Sequence, residues 1–532
     1  MATGHFRGIV IPALSYEYLA YGRATDVPPS SGRRFYKLLE LQPGVFAWGT
    51  LIVVALASYW IPTGASIFII GFDAYWLIKT IFLSVHMNHS FRRMRANLRR
   101  DWMAEVTALP PATGALQGVT HRDLYHLVVL PMATEPHEVV RESFQALLKT
   151  TWPLDRLIVV LATERRVGEQ ARDIARRIGD EFGHRFFRFL STEHPDDIPG
   201  EIRGKGSNET WAGRKALSLI DELGIPHRNV VVSVFDVDTV TPPDFFACLS
   251  WHYLTTPQPL RSSFQPIPVF NNNIWHAPAF ARVFAFSTTF WQLIQQARPE
   301  QLVTFSSQSI GLLALVDVDF WQTNVVSEDS QIFWKCLLRY DGDWRTVPMY
   351  FPVYMDANVA PTFWGTVANQ YRQIRRWHYG VENNPYFLFG FSRNPRIPFR
   401  TKLRHALQMV EKTHSSSTNA LIIFLLGWLP ITIGRGNFGQ TVLAYNLPHI
   451  TQNIMLAAMV GLITSAAISI LLLPPRPPAY GAFRYIWMVL QWLLFPVNFI
   501  LFGAIPALDA QTRLLFGKYM GFWVTPKSRP LL

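Results

Sequence analysis

Two aspartates spaced one apart close the apolar run at residues 230–238, VVVSVFDVD. A run of β-branched residues predicts a strand, and on a strand residues i and i+2 share a face. Asp236 and Asp238 are therefore expected to project together past its carboxyl end. Two hard oxygen ligands converging there suit Mg²⁺ or Mn²⁺ held together with a diphosphate. Acids after a strand are also ordinary turn formers, so the rest of the chain must decide between the two readings.

Further groups could join that chemistry. The first predicted strand ends in PMATE, which places Glu135 for a nucleoside, and the second ends in LATE, which offers Glu164. RGKGSNETWAGRKA carries Lys205 and Asn208 in a glycine-rich loop ahead of a predicted helix, where glycine permits close backbone approach to phosphates. Ser327, Glu328 and Asp329 follow an apolar stretch. In QIRRW, Gln373, Arg376 and Trp377 fall at i, i+3 and i+4, one face of a helix. Arginine grips a diphosphate bidentately, and tryptophan offers a flat apolar face to a sugar ring. Taken alone, Asp329 reads better as an acid favoured at a helix N-terminus, and the joint pattern reverses that reading.

The elements that must position these residues alternate in type. Strands are expected at residues 125–130, 157–162, 186–190 and 230–238, and helices at 136–152, 166–182, 212–223 and 363–379. Short apolar strands alternating with amphipathic helices imply right-handed crossovers and a mostly parallel sheet. Ligands collect at the carboxyl ends of strands in such sheets, which is where Asp236 and Asp238 fall.

Composition adds a membrane. Of 532 residues 49% are hydrophobic and only 16% charged, with 18 Trp and 38 Phe, too apolar for an ordinary soluble protein. Residues 45–61 and 65–85 are each long enough to cross a bilayer core of ~30 Å, and the tight Pro62-Thr63-Gly64 turn makes them a helical hairpin. Asp73 and Lys79, inside the second span, are given a structural role facing other helices. Basic residues flank the hairpin on both sides (Arg33, Arg34 and Lys37 before it; Arg92, Arg93, Arg95, Arg99 and Arg100 after it), so both flanks are expected to be cytoplasmic. Three apolar segments follow, at residues 420–433, 450–473 and 485–505. Three crossings would leave the C-terminus outside, whereas Arg513, Lys518, Lys527 and Arg529 argue for inside, so one segment is re-entrant or another crossing is hidden. The net charge of +12 is accounted for by such flanks, and no nucleic-acid recognition motif is present. Cys248 and Cys336 lack metal spacing and read as buried free thiols. His86, His89 and His121 likewise show no ligand spacing.

D-x-D, then E-D, then Q-x-x-R-W, in this order, resembles the membrane-embedded family-2 glycosyltransferases, the group of cellulose, hyaluronan, chitin and mannan synthases. The resemblance covers about residues 121–380 and the flanking spans. FSSQS at 305–309, which holds Ser306, is similar to the family's acceptor segment, and FWVTPK, ending at Lys527, to its aromatic-x-T-x-K ending. Glu164 stands where the family usually has aspartate, and Ser307-Gln308 where it has Gly-Thr or Gly-Ser.

The likeness implies an α/β GT-A domain (Rossmann-like, mostly parallel sheet) inserted between helical transmembrane segments. It implies that Asp236 and Asp238 hold Mg²⁺ or Mn²⁺, and that Glu135, Glu164, Lys205, Asn208, Gln373 and Arg376 bind a nucleotide-diphosphate sugar. Asp329 is then the general base of an inverting displacement, with Trp377, Glu328 and Ser306 at a carbohydrate or lipid-linked acceptor. The implied organisation is an N-terminal cytoplasmic segment (1–44), a transmembrane hairpin (45–88), a basic flank and linker (89–120), the catalytic domain (121–380), an amphipathic interfacial region (381–418), a C-terminal transmembrane region (419–508) and a tail (509–532). Two activities are expected of such a protein in a cell membrane, its catalytic domain cytoplasmic and in contact with membrane lipids. One is polysaccharide synthesis with export through its own spans; the other is single-step transfer to a lipid or lipid-linked acceptor. A scaffold with a decayed transferase domain fits less well, because it need not keep Asp236, Asp238, Asp329 and Arg376 together.

Overall fold

The computed structural model describes residues 16–481 and 483–525. Lys527 and Arg529 lie outside the described residues.

Seven strands form one mixed sheet: β1 (Tyr125–Pro131), β2 (Leu157–Glu164), β3 (Arg188–His194), β4 (Val230–Val234), β5 (Ser262–Phe270), β6 (Ser309–Gly311) and β7 (Arg345–Met355). Their order is β3-β2-β1-β4-β6-β5-β7. β1 pairs in parallel with β2, placing Val128 beside Val159, and with β4, placing Val128 beside Ser233. β6 runs antiparallel to both β4 and β5, and β5 is parallel to β7. The expected parallel half is present, and the second half of the sheet departs from it.

Alternation along the strands builds two cores. Leu127 and Val129 join Ile158, Val160 and Val232 on one face, beneath Ala212, Ala216 and Ile220 of the Lys205–Glu222 helix. Val128 and Leu130 join Val159 and Leu161 on the other, against Val140, Phe144 and Ile174 of the His137–Leu148 and Glu169–Phe182 helices. A fully buried side chain such as Phe144 contributes about 2 kcal/mol. Cys248 and Cys336 are both buried free thiols.

Two local expectations are corrected. β4 stops at Val234, and a turn in which Thr239 N–H donates to the Asp236 carbonyl at 2.8 Å carries both aspartates. The strand pleat therefore does not set their directions. Lys205 and Asn208 are not in a loop but in the first turn of the Lys205–Glu222 helix. A Cβ on Gly206 would meet the Gln322 carbonyl at 2.7 Å and Glu328 Cβ at 3.0 Å. Glycine there is a packing requirement that outweighs its poor helix propensity of about 1 kcal/mol.

Four helices are long and apolar enough to cross a membrane: Arg33–Trp60, Pro62–Asn97, Val442–Leu471 and Arg484–Leu515. A fifth candidate is the Phe399–Phe424 and Leu426–Ile433 pair, bent by 43°. That pair leads to the hairpin apex, where Arg435 N–H donates to the Tyr59 carbonyl at 3.0 Å. By contrast, Arg484–Leu515 touches the sheet domain near both ends. Gln491 accepts from Arg282 at 2.6 Å, and Asp509 pairs with Arg375 at 3.0 Å. The segment is interrupted by 3-10 and π turns at Gln491–Leu494 and Ile500–Ala504. Lys79 is paired with Glu411 at 2.6 Å, and Asp73 is buried.

Candidate active site

The carboxyl ends of β1, β2 and β4 open into a cavity of about 1450 Å³. Its wall holds Glu135, Glu164, Lys205, Asn208, Asp236, Asp238, Ser306, Asp329, Gln373, Arg376 and Trp377, which come from seven separate stretches of chain. Glu328 does not line it; only 1% exposed, it is buried behind Asp329.

The organising atom is Lys205 Nζ. It lies 2.8 Å from both carboxylate oxygens of Asp329, 3.0 Å from Asp236, 3.3 Å from Glu209 and 3.8 Å from Glu328. A cation at a helix N-terminus opposes the helix dipole, and these four acids offset that. Burial pushes the Glu328 carboxyl up to about 8, with Asp329 adding and Lys205 opposing. Burial raises Glu209 well above the usual carboxylate range against the pull of Lys205. Burial also raises Asp329, again opposed by Lys205, which makes it a stronger base than a solvated carboxylate. Arg376, also buried, is a second cation acting on Glu328, Asp236 and Asp329 beside Lys205.

Neighbouring contacts fix the remaining groups. Asp238 is 1% exposed, and its carboxylate accepts the Asp356 N–H at 3.1 Å. Asn208 donates to the Ala162 carbonyl at 2.8 Å, pinning the helix to the end of β2. Glu135 accepts the Ala133 N–H at 2.7 Å, and Glu164 pairs with Arg166 at 2.6 Å. Gln373 accepts from Asn358 at 3.1 Å. The Arg376 guanidinium lies 4.5 Å over the Phe522 ring, and its buried Nε has no hydrogen-bond partner among the described residues. Trp377 meets Phe270, Phe284 and Phe305 with ring centroids 6.0, 6.2 and 5.9 Å away.

Several contributors are not among the site residues expected from the sequence, although Ser307 and Gln308 lie in the FSSQS segment noted there. Gln265 of β5 donates to the Ser306 carbonyl and accepts the Phe305 N–H, so it holds the FSSQS segment. Ser307 within that segment sits at φ +67°, a conformation natural to glycine. Gln308 donates to the Asp329 carbonyl at 3.0 Å. Glu382 accepts the Val326 N–H, the Ser327 N–H and the Ser327 hydroxyl at 2.8–2.9 Å through one oxygen. It thereby bolts the end of the Arg376-bearing segment to the start of the Asp329-bearing helix. Glu209 also has a sequence clue, standing four residues after Lys205 on the same helix face.

Hard carboxylate oxygens on a cavity wall suit Mg²⁺ or Mn²⁺. Asp236, its side chain 29% exposed, and the fixed Asp238 fit such an ion. A second acidic group, Glu209, Glu328 and Asp329, brings oxygens within 4.8 Å of one another. Lys205 Nζ already serves as its cation.

No protein-family model matches the sequence, and no curated protein matches it. Among solved structures, the chain is similar to the mannosyltransferase PcManGT from Pyrobaculum calidifontis in complex with GDP-Man and Mn²⁺, at TM-score 0.40 and 15% identity over 84% of this chain and 99% of that one. It is also similar to S. aureus TarS 1-349 in complex with UDP-GlcNAc, at TM-score 0.29 and 9% identity over 64% of this chain and 90% of that one. At these scores neither fold nor activity follows from the likeness.

Proposed function

We propose that the chain is a membrane-bound inverting glycosyltransferase that takes a sugar from a nucleotide-diphosphate donor. The observation that carries this reading is the convergence of Asp236, Asp329, Lys205 and Arg376 on one cavity wall. An acceptor hydroxyl oxygen attacks the anomeric carbon as the bond from that carbon to the diphosphate oxygen breaks. The hydroxyl proton passes to the Asp329 carboxylate, and the nucleoside diphosphate leaves with the bonding electrons. Arg376 meets the charge developing on the leaving group, aided by the low-dielectric surroundings. Asp236 and Asp238 would hold Mg²⁺ or Mn²⁺, which when bound neutralises charge on the diphosphate.

Membrane insertion is supported by length, composition and contacts. The bent pair ends at the hairpin apex, while Arg484–Leu515 contacts the sheet domain near both ends. We read four crossings, the hairpin, the bent pair and Val442–Leu471, with Arg484–Leu515 re-entrant on the catalytic side. The described C-terminal residues then lie with the catalytic domain, as Phe522 against Arg376 requires.

Of the two expected acceptors, the cavity favours a lipid or lipid-linked one over an exported polymer. Its wall runs from Asp236 into the helices but reaches no nearer the apex than Asp73 on one helix and Gln452 on another. At about 1.5 Å per residue, roughly 15 Å toward Pro62 and Val442 stays outside it. Purified protein given labelled nucleotide sugars with Mg²⁺ or Mn²⁺ tests the reading. An organic-extractable glycolipid supports it, a high-molecular-mass polymer supports synthesis and export instead, and no release of nucleoside diphosphate from any donor ends the transferase reading.

A further inference from the structure

The wall of the cavity changes character beyond Trp377. Leu83, Phe424, Met459, Leu462, Phe495 and Phe499 supply an aliphatic and aromatic lining from four different helical segments. These side chains offer nothing to a sugar hydroxyl but suit a hydrocarbon chain arriving from the bilayer, with Ser84, Asn419 and Ser465 as scattered polar groups between them.

Charged groups are sparse in this stretch, and most are matched. Lys79 is paired with Glu411 at 2.6 Å and Arg298 with Glu300 at 3.4 Å. Asp73 lies deepest, toward the apex. Lys412 is different. It lines the cavity and makes no salt bridge or hydrogen bond among the described residues; the carboxylate that acts on it, Glu411, is already paired with Lys79, and its ammonium lies 5.4 Å from the Trp291 ring centroid. Its charge reaches His378, the residue after Trp377. Burial first, and then Lys412, lower that imidazole to about 4, so it is neutral near pH 7. The wall thus brings together the base, the tryptophan, an ammonium without a salt bridge of its own and the hydrocarbon lining. A desolvated, unmatched ammonium is costly unless an anion joins it.

We propose that the acceptor is a sugar joined through an anionic phosphoester linker to a lipid, with the linker on Lys412, the sugar against Trp377 and the chain among the apolar helices. This rests on the transferase reading and names its acceptor class. Transfer forms a glycosidic bond to a hydroxyl of the lipid-borne sugar, sends that proton to Asp329 and leaves the phosphoester linker intact. The ring of helices around the apolar end places the lipid's approach within the bilayer, beside the re-entrant Arg484–Leu515 segment.

The full chain in lipid nanodiscs, supplied with the nucleotide sugar it turns over, would be offered three acceptors bearing one sugar: a polyprenyl-diphosphate monosaccharide, a neutral alkyl glycoside and a free oligosaccharide. The expected result is a KM at least tenfold lower for the diphosphate-linked lipid than for the alkyl glycoside. That preference should collapse about tenfold in Lys412→Gln and be kept in Lys412→Arg. The free oligosaccharide serving as well as the charged lipid overturns the proposal, and so does an unchanged preference in Lys412→Gln. In both of those outcomes nucleoside diphosphate is still released, so the transferase reading survives. Absence of release with every donor and acceptor ends both.

Discussion

One cavity has two ends, and they handle burial in opposite ways. At the sheet end four carboxylates surround a single lysine, whose distances to them run from 2.8 to 3.8 Å. At the helix end apolar side chains predominate among scattered hydroxyl and amide groups, Lys79 is paired with Glu411, and Lys412 lies near a tryptophan ring without a salt bridge among the described residues. Charge in the first region is sustained by mutual compensation, because no member could stay ionised alone in so little water. In the second region almost nothing needs compensation. A donor that is mostly phosphate suits the first environment, and an acceptor that is mostly lipid suits the second. Trp377 sits at the join, with its flat ring in the aromatic group of Phe270, Phe284 and Phe305.

The contrast is most directly broken at Asp329. Asp329→Asn keeps the shape and removes the base, so kcat is expected to fall by about 10²–10⁴-fold with the thermal unfolding temperature little changed. Measured transfer within tenfold of the parent would remove Asp329 from its role. Next is Lys205. Lys205→Met strips the shared cation from the acids and is expected to cost about 3–5 kcal/mol of stability. Glu209→Gln, which imitates the protonated carboxyl, should change stability by no more than about 1 kcal/mol. Equal melting shifts for the two would mean that the cluster is not organised around the lysine.

A pH series sharpens the same contrast away from the reacting groups. Burial lifts the Glu382 carboxyl to about 7, against its hydrogen bonds from Ser327 and Val326. The folded chain therefore keeps a proton that the unfolded chain loses near pH 4.5. The Glu382 contribution to stability falls as pH rises between those values and is lost above about 7, by up to about 3 kcal/mol. Glu382→Gln should make the slope shallower in unfolding measured from pH 4.5 to 7, with Glu328 sustaining the remainder; an unaltered slope would show that Glu382 does not contribute to it. The smallest effect is expected at the join. Trp377→Phe should raise acceptor KM by roughly fivefold, about 1 kcal/mol, while leaving donor KM alone. A larger change in donor KM would move Trp377 to the sheet end.

Much of the scaffold was legible because its signals are local. The short apolar runs of β1, β2 and β4 and the helical period of residues 171–178 needed only neighbouring residues to be read, and so did the apolar runs of the hairpin. The β5–β7 half was not legible. β6 has three residues, β5 contains two prolines and shifts register between Gln265 and Ile267, and their partners are distant in sequence. The aspartate pair illustrates the limit. Its residue types announced oxygen chemistry, yet the turn at Asp236 sends one carboxylate to Lys205 and the other to the Asp356 backbone.

By itself the sequence determined the chemical vocabulary of this protein: acids, a lysine, an arginine and a tryptophan in a set order, an alternating α/β middle, and apolar segments on either side. Those follow from residue type and short-range period. Only the tertiary structure decided that Lys205 is the hub of the acids, that Glu328 is buried off the cavity wall, and that Glu382 ties the Arg376-bearing segment to the Asp329-bearing helix. It also decided that the cavity wall stops well short of the hairpin apex and that Lys412 stands unmatched within it. Those facts depend on which distant side chains share a low-dielectric space. Desolvation and Coulomb energy are set by that sharing and leave no periodic trace along the chain.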